Sequence, residues 1–533
     1  MYCAFQREIT KKMIRIIVII MLLIRILQGT QAARILGVFP TPSISHQVVF
    51  RRLTLELHKR GHELVIVTTD PMYQKGEAPQ NYTEIDVHDI SYTTWRNDFM
   101  KLSRGSSDDL FEQTAVILEL TTNLFEMQLK SKEVQALIKV KDAKKFDLLL
   151  LEACIRPAII LTHIFDAPAI LVSSFGGVEY VFRILGVPTH PVLYPPPLHQ
   201  RIFNLTFWEK THEIFTHYYL EYLFWKAEYK VDEMVKRIFG PSTPTVRDTY
   251  KNVEMILLNA YAVWENNRPV PPNVVYVGGL HQKPEKDLPG DLKEYLDSSK
   301  HGVVYISFGT NVEPSLLPPE RIQLLIKVFS ELPYDVLWKW DQDELPGKSE
   351  NIKIAKWLPQ SDLLRHPKIK VFITQGGLQS TEEAITAGVP LIGIPMLMDQ
   401  WYNVEKYVQL NIGLKLDLGS ITEDSFRNAI NTVTGDESYR QNVARLRSQV
   451  FDQPQGPLER AVWWTEHVLR HGGATHLRAA GALKSWTEYF ELNLIAVLLV
   501  SFLMAIAFIV TLISSLMTSL KMYFNYDDKI KKH

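Results

Sequence analysis

The sequence has few cysteines and no excess of charge of one sign. Only Cys3 and Cys154 occur among 533 residues, so neither a disulfide framework nor a zinc site built from thiolates is expected. The 58 lysine and arginine residues nearly balance the 59 aspartate and glutamate residues, which leaves a formal net charge of -1. Such a chain offers no basic field to a nucleic-acid backbone, so nucleic acid is not predicted as a partner.

Several sequence patterns are absent as well. No Gly-x-Gly-x-x-Gly motif opens a helix after a strand, which disfavours a dinucleotide-dependent oxidoreductase, and no internal repeat or low-complexity tract occurs. The 16 histidines show neither a His-Glu-x-x-His motif nor a Cys/His ligand spacing, so no metal site is expected. The composition itself, 46% hydrophobic and 22% charged, excludes a disordered or fibrous protein and predicts two or three packed domains.

The amino end indicates targeting to a membrane. Three cations within residues 11–15 precede the apolar run 16–24, and small residues follow at 29–33. This order is typical of a secretory signal peptide, which we predict over residues 1–33. Because Arg25 interrupts the apolar run, an uncleaved interfacial anchor is the alternative.

The carboxyl end indicates a membrane-spanning helix. Residues 492–520 carry no charge, and in a helix they would reach about 43 Å, more than the roughly 30 Å of a bilayer core. The lysine-rich tail 521–533 predicts a single-pass type I protein with a cytosolic tail and lumenal domains. Lys529 and Lys531 have the spacing of a dilysine retrieval signal, which favours the endoplasmic reticulum membrane; a generic basic flank is the alternative. The predicted lumenal part contains two Asn-x-Thr glycosylation acceptors, Asn81 and Asn204.

Between these ends, apolar strands alternate with helices in two successive stretches. Continuous apolar strands are typical of a parallel sheet covered on both faces, so the fold class is α/β. A proline-rich segment at 266–276 has the composition of an interdomain linker, which predicts an amino-terminal domain over 34–265 and a carboxyl-terminal domain over 277–485. The predicted strands are 34–39, 63–68, 147–151, 169–172, 303–308, 336–340, 370–374 and 391–394.

One segment of the first stretch breaks this alternation. Residues 204–230 are rich in Phe, Trp and Tyr and follow a segment with several prolines. Three interpretations stay open, namely a lid over an acceptor pocket, a patch that faces the membrane, and a helical packing layer.

The densest group of unusual residues lies between Trp357 and Gln400. Thr374-Gln375-Gly376-Gly377 follows an apolar strand and precedes a helix. Glycines at this point allow close backbone approach, and the amino end of a helix offers N–H groups to an anion, so this turn predicts a phosphate site.

The same stretch resembles the donor-binding motif of the UDP-glycosyltransferases. The motif elements stand in fixed order as Trp357-x-Pro-Gln360, His366-Pro367, Thr374-Gln375-Gly376-Gly377, Glu383, Gly388-Val389-Pro390 and Asp399-Gln400. The resemblance covers nearly the whole chain, since Ser45-His46, Val277-Gly278-Gly279-Leu280, Ser307-Phe308-Gly309-Thr310 and the apolar carboxyl end also match. It is greatest to the membrane-bound animal branch, and the Gln-Gly-Gly variant is similar to arthropod members.

The resemblance implies a GT-B fold, with two Rossmann-like domains facing a cleft, and a role for each matching residue. Trp357 would stack on uracil, Gln360 would read the base and ribose edges, and Glu383 would bind the ribose hydroxyls. Asp399 and Gln400 would bind the sugar hydroxyls. The diphosphate would be held, with no metal cofactor, by Arg268, Ser307, Gly309, Thr310, Gln375, Gly377 and Ser380.

The catalytic residues implied by the resemblance are His46 and Glu152. His46 would take the proton from an acceptor hydroxyl as general base. Glu152 stands where the family has an aspartate that orients this histidine, and Gln375 stands where many members have a histidine. Both departures keep a usable polar group, because a longer carboxylate still fixes the tautomer and an amide still donates a hydrogen bond.

The implied function is the inverting transfer of a hexose from a UDP-sugar to a hydroxyl of a small lipophilic acceptor. Glucose is the expected sugar, and conjugation of foreign compounds or endogenous metabolites, as in detoxification, is the expected role. The expected partners are therefore UDP-sugar, acceptor and membrane lipid, while a homo-oligomer stays open. A catalytically silent membrane protein that binds nucleotide sugars is the alternative, motivated by Glu152 and Gln375.

Overall fold

The computed structural model describes residues 32–99, 110–139 and 145–530. The chain forms two compact units, one that ends at Arg478 and one that begins at Ala479. Most of the predicted signal peptide, and Lys531 of the predicted dilysine signal, lie outside the described residues, so these two targeting signals stay predictions.

The first unit contains two parallel sheets, and the first has seven strands in the order β3-β2-β1-β4-β5-β6-β7. Its central strands are buried along their whole length because both faces are covered. In β4, for example, Leu148 and Leu150 face one core cluster while Leu149 and Leu151 face the other. The strands are β1 (Arg34–Phe39), β2 (Glu63–Thr68), β3 (Tyr82–Asp86), β4 (Leu148–Glu152), β5 (Ala169–Ser173), β6 (Val253–Leu258) and β7 (Val274–Tyr276).

Helices and short 3-10 turns connect these strands. The helices are α1 (Ile44–Lys59), α2 (His88–Phe99), α3 (Leu110–Lys130), α4 (Lys132–Lys139), α5 (Leu161–Ile164), α6 (Glu179–Leu185), α7 (Phe207–Phe239) and α8 (Val246–Thr249). The 3-10 turns are Arg156–Ile160, Tyr250–Asn252 and Ala262–Glu265.

The second sheet has six parallel strands in the order β10-β9-β8-β11-β12-β13. Its strands are β8 (Val303–Ser307), β9 (Asp335–Lys339), β10 (Ile352–Ala355), β11 (Ile369–Thr374), β12 (Leu391–Gly393) and β13 (Gly413–Lys415). The helices that follow β7 are α9 (Gly290–Ser298), α10 (Pro319–Ser330), α11 (Gln360–Leu364), α12 (Leu378–Ala387), α13 (Gln400–Gln409), α14 (Glu423–Gly435), α15 (Glu437–Phe451) and α16 (Pro457–His471), with 3-10 turns at Pro314–Leu316 and Thr475–Leu477.

All eight predicted strands occur in these sheets with bounds that differ by at most one residue. Two parts of the predicted domain scheme differ from the structure. Residues 274–276 of the predicted linker form β7, the edge strand of the first sheet. Helix α16 was expected in the carboxyl-terminal domain, but its apolar residues Ala461, Val462 and Val468 pack into the core of the first sheet. The boundary between two α/β domains stays a prediction, because both sheets belong to the same compact unit.

Helix α16 lies beside the predicted linker. The guanidinium of Arg460 donates a hydrogen bond to the carbonyl oxygen of Tyr276 over 3.2 Å. The chain therefore crosses from the first sheet to the second after β7 and returns to the first sheet before α16. These two crossings are adjacent.

The aromatic segment forms helix α7, which starts with a capping box. The Thr206 hydroxyl accepts from the Glu209 N–H, and the Glu209 carboxylate accepts from the Thr206 N–H. One face packs through Leu220, Val231 and Met234, as the packing-layer interpretation requires. The other face exposes large aromatic rings, which are Phe207, Trp208, Phe215, Tyr218, Tyr222, Trp225 and Tyr229.

The second unit contains α17 (Trp486–Tyr489) and α18 (Leu492–Ile530). Residues 492–523 of α18 are long and apolar enough to cross a membrane, and their side chains are not buried inside the protein. This stretch includes the predicted span 492–520.

Candidate active site

A cavity of about 450 Å³ lies between the two sheets, at the carboxyl ends of their strands. Open α/β sheets bind ligands at this edge, because the loops that follow the strands converge there. The first sheet contributes His46 from the start of α1 and Phe175 from the loop after β5. The second sheet contributes most of the predicted donor residues, which are Ser307, Gly309, Thr310, Trp357, Gln360, Gln375, Gly377, Ser380, Glu383, Asp399 and Gln400.

The predicted catalytic residues His46 and Glu152 are in direct contact. His46 Nδ1 lies 2.7 Å from Glu152 Oε1, and Glu152 is only 1% exposed. When Nδ1 carries the proton and donates it to the carboxylate, Nε2 is left as a hydrogen-bond acceptor. The glutamate therefore reaches the histidine from the end of β4 despite its extra methylene.

Two neighbours hold the Glu152 carboxylate in place. The Thr41 N–H donates to Oε2 over 3.1 Å, and the Cys154 thiol lies 3.3 Å from Oε1. Burial, together with the adjacent carboxylate, raises the pKa of Cys154 well above its usual value, so the sulfur keeps its proton and donates it. Thr41 and Cys154 carry no sequence signal for this contact, because it depends on where the loops after β1 and β4 meet.

The predicted phosphate turn lies between β11 and α12. Gly377 is the N-cap of α12 and has no side chain to cap the first turn, so the N–H groups there are available to an anion. Gly376 has φ +91, and a Cβ at this position would collide with Val404. Gly309, in the loop after β8, has φ +75 and lies against the Gln375 amide. Gly309 therefore lets the loop after β8 approach the turn before α12, and Gly376 lets that turn approach α13.

Trp357, Gln360 and Glu383 form one side of the cavity. Trp357 is 63% exposed, so its indole face is open to a flat ligand. The Gln360 amide nitrogen donates to Glu383 Oε2 over 2.7 Å and to Ser380 Oγ over 2.9 Å. Burial raises the pKa of Glu383, and the hydrogen bond from Gln360 opposes that rise.

Asp399 and Gln400 lie at the start of α13. Burial raises the pKa of Asp399 to about 6, while the Asn403 amide and the nearby His46 act in the opposite direction. Gln400 Oε1 accepts from the N–H groups of Met396 and Leu397, which leaves its amide nitrogen as the group free to bind a ligand. Asp399, on the donor side of the cavity, is thus close enough to His46 on the other side for the two groups to interact electrostatically.

Arg268 does not line the cavity, contrary to the predicted contact with a pyrophosphate. Its side chain is 3% exposed, donates to the Tyr194 carbonyl over 2.7 Å, and lies over the Phe182 ring at 4.3 Å. The proline-rich segment around Tyr194 therefore encloses this guanidinium in the first half of the chain.

A lysine that the sequence analysis did not select does line the cavity. Lys339 is the last residue of β9, and its ammonium donates to the Gly309 carbonyl over 2.5 Å. The ammonium also lies 5.3 Å from the centre of the Trp357 ring. Its position at the carboxyl end of a parallel strand is the sequence signal that could have identified it.

Both predicted glycosylation acceptors are exposed. Asn81 and Asn204 occupy turns with φ +63 and +51. The use of these residues stays a prediction.

Comparison with known proteins now identifies the family. Residues 34–526 match the model of the family described as UDP-glucoronosyl and UDP-glucosyl transferase. The chain belongs to this family. The family predicted from the ordered motifs is thereby confirmed, and the chain is a UDP-glycosyltransferase.

Curated relatives of this UDP-glycosyltransferase come from viruses, insects and mammals. The ecdysteroid UDP-glucosyltransferase of Spodoptera littoralis nuclear polyhedrosis virus is 35% identical over 91% of this chain and 97% of its own length. UDP-glucosyltransferase 2 of Dactylopius coccus is 31% identical over 97% and 99%. UDP-glucuronosyltransferase 2B17 of Homo sapiens is 32% identical over 87% and 89%.

Solved structures confirm the GT-B fold of this UDP-glycosyltransferase. UDP-glucose: anthocyanidin 3-O-glucosyltransferase in complex with UDP has a TM-score of 0.55 at 15% identity and covers 83% of this chain and 100% of its own. Spinosyn forosaminyltransferase SpnP has a TM-score of 0.54 at 16% identity, with the same coverage. The two sheets that flank the cavity are thus the two Rossmann-like halves of a GT-B transferase, followed by an apolar helix long enough to cross a membrane.

Proposed function

We propose that this UDP-glycosyltransferase transfers glucose from UDP-glucose to a hydroxyl of a small lipophilic acceptor, with inversion at the anomeric carbon. The observation that carries the proposal is the contact of 2.7 Å between His46 Nδ1 and Glu152 Oε1 in the cavity that the donor motif lines. This pair is what a general base needs, namely a fixed tautomer and a carboxylate that stabilises the imidazolium.

The transfer step follows from this arrangement. The acceptor oxygen attacks the anomeric carbon from the face opposite the diphosphate, and its proton moves to His46 Nε2. The bond between the anomeric carbon and the diphosphate oxygen breaks, and UDP leaves with the electron pair. General-base assistance of this kind contributes roughly 100-fold to 10,000-fold.

The donor side supports binding of the nucleotide in one orientation. The open face of Trp357 suits uracil, and the Glu383 carboxylate suits the two ribose hydroxyls. The diphosphate would lie at the amino end of α12 beside Lys339, where N–H groups, hydroxyls and one ammonium offset its charge. We propose that this set of groups serves in place of a metal cofactor.

Glucose suits the sugar end of the cavity, where the Asp399 carboxyl can accept hydrogen bonds from the hydroxyls of a neutral hexose. The names of the Spodoptera virus and Dactylopius relatives, both glucosyltransferases, point the same way.

The proposed setting is the endoplasmic reticulum membrane, with a cleaved signal peptide, lumenal catalytic halves and a cytosolic tail. The apolar span 492–523 and the lysines that follow it support a type I orientation. A lipophilic acceptor dissolved in the bilayer suits this location, and we propose conjugation of such compounds, including foreign ones, as the role.

The test is transfer from a panel of radiolabelled UDP-sugars to phenols and steroids, with membranes that contain the full chain. We expect transfer from UDP-glucose, its loss in His46→Ala with UDP binding retained, and its survival in the control His212→Ala on the exposed side of α7. Transfer at the original rate in His46→Ala would contradict the general base. UDP binding with no transfer from any donor would instead favour the silent nucleotide-sugar-binding protein.

A further inference from the structure

Three histidines meet at the carboxyl end of α16, outside the cavity. His467 and His471 are four residues apart and share one face of the helix. The chain then turns back at Gly472 and Gly473, which both have positive φ, and His476 follows in the 3-10 turn Thr475–Leu477. The turn brings the third imidazole back against the first two.

The spacing of two of these rings fits a shared metal ion, and the third ring must turn to join them. His467 Nε2 and His476 Nε2 lie 3.2 Å apart, close to the roughly 3.4 Å between two ligands of a tetrahedral zinc ion. The ring centres are 4.5 Å apart for His467 and His471, 5.4 Å for His467 and His476, and 5.6 Å for His471 and His476. Three imidazoles on one tetrahedral ion have ring centres about 5 Å apart. The exposed ring of His471 needs only a side-chain rotation to turn a nitrogen toward the other two.

We propose that His467, His471 and His476 bind a divalent transition-metal ion, with Zn²⁺ as the ion that suits their ligand type and geometry. Three neutral imidazoles leave one position for water, and carboxylate-preferring ions such as Mg²⁺ and Ca²⁺ are poorly matched to them.

Neighbouring aromatic rings hold one of the three imidazoles in place. His467 is held by the Trp463 ring, stacked at 5.3 Å, and by the edge of Trp464 at 5.2 Å. The charge of Arg470 is partly offset by Glu466, 3.6 Å away on the same helix.

A bound ion would join the end of α16 to the turn that follows. Helix α16 covers the first sheet through Ala461, Val462 and Val468, so the ion would fix the last turn of a helix that belongs to that core. Because the ion binds the folded arrangement of three ligands, it would also raise the temperature of unfolding.

The experiment uses the full chain in detergent micelles, stripped of metal with a chelator. Co²⁺ is titrated while its visible d–d absorption is recorded, since intense bands report tetrahedral coordination, and Zn²⁺ is then used to displace it. We expect one equivalent to bind, and we expect His476→Ala and His471→Ala to weaken Zn²⁺ binding at least about tenfold. The matched control His212→Ala, an exposed histidine on α7, should bind as the unaltered chain does.

Two further readouts separate the proposal from its alternatives. UDP binding should stay unchanged in every variant, which shows that the variants are folded, and Zn²⁺ should raise the unfolding temperature of the control but not of His476→Ala. A direct hydrogen bond between His467 and His476 without metal affinity predicts no absorption band, which would overturn the proposal. Binding that survives in both variants would assign the ion to another cluster, such as His46, Glu152 and Cys154, and would overturn it as well.

Discussion

At the scale of single residues, the structure shows how a glutamate reaches His46 at the position where an aspartate is expected from the family resemblance. Glu152 is the last residue of β4, and its two oxygens are shared between His46 and the Thr41 N–H. The extra methylene is accommodated because the loop after β1 brings Thr41 to the second oxygen. The sequence placed Glu152 at the correct end of a strand, but only the loop contacts show that its carboxylate reaches the imidazole.

Substitution of Lys339 and of Arg268 tests which of these two cations binds the diphosphate. We expect Lys339→Met to weaken UDP binding about tenfold, since a hydrogen bond to a charged group contributes about 1.5 to 3 kcal/mol. Arg268→Met should instead lower the unfolding temperature, because its guanidinium is buried against Phe182 and two backbone carbonyls. Calorimetric titration with UDP and thermal unfolding distinguish the two. A tenfold loss of UDP affinity in folded Arg268→Met would restore the role first predicted for that arginine.

Asp399 predicts a pH dependence for the sugar part of the donor. Its pKa of about 6 means that the carboxylate accepts sugar hydroxyls fully only above that pH. The affinity for UDP-glucose relative to UDP should therefore rise from about pH 5 to about pH 7, and Asp399→Asn should remove this trend. Titrations of both ligands across this range provide the measurement, and an unchanged ratio in the unaltered chain would contradict the sugar contact.

The same pKa shift affects the free energy of unfolding in the opposite sense. The folded pKa of Asp399 lies above its ordinary value of 3.8. Its contribution to stability is therefore fully present below that value and is lost as the pH rises through about 6.

At the scale of elements, the strands that could be predicted are those that lie inside a sheet. Strands β1, β4, β8 and β11 are buried on both faces, and this requires the continuous apolar runs that were recognised. Edge strands such as β3 and β7 are either half exposed or only three residues long, so the hydrophobic pattern that would identify them in the sequence is weak. The interior strand β6 has the same kind of apolar run but was not among the predicted strands.

The turn before α12 allows a test with two neighbouring glycines. Gly376→Ala places a side chain at φ +91 against Val404, which should weaken UDP binding and lower the unfolding temperature, with a backbone cost of about 1 to 3 kcal/mol. Gly377→Ala has an ordinary φ of -60 and meets only the Gln375 amide at 3.8 Å, so it should fold normally. Thermal unfolding with and without UDP compares the two variants. Equal stability would show that the turn does not need the left-handed backbone.

At the scale of the whole molecule, the site depends on contacts between distant parts of the chain. The Gln379 amide donates to the Ser174 carbonyl over 2.8 Å, and the Ser43 hydroxyl lies within 3.4 Å of the Asn311 amide. Most of the donor residues were predictable because they lie within the one stretch from Trp357 to Gln400, while Ser307, Gly309 and Thr310 follow a single predicted strand. The position of Arg268 and the return of α16 to the first sheet could not be predicted in this way, since both depend on how separate segments of the chain pack together.

Truncation tests the place of α16 in the fold. A chain that ends at Arg478 keeps the helix and should be soluble and bind UDP, whereas one that ends at Gln455 loses Ala461, Val462 and Val468 and should aggregate. The soluble fraction without detergent and its UDP affinity are the measurements. If the shorter chain proves equally soluble and binds UDP equally well, α16 is not part of the first core.

The two adjacent passages between the sheets also limit how the enzyme can open. Halves joined by a single flexible strand of chain could twist and slide in any direction. Here the crossing that follows β7 and the crossing that precedes α16 start and end close together, since Arg460 in α16 donates to the carbonyl of Tyr276 at the end of β7. We therefore expect the two halves to move mainly by a rotation about these adjacent crossings, which would widen or narrow the cavity mouth and change the distance between His46 and Asp399.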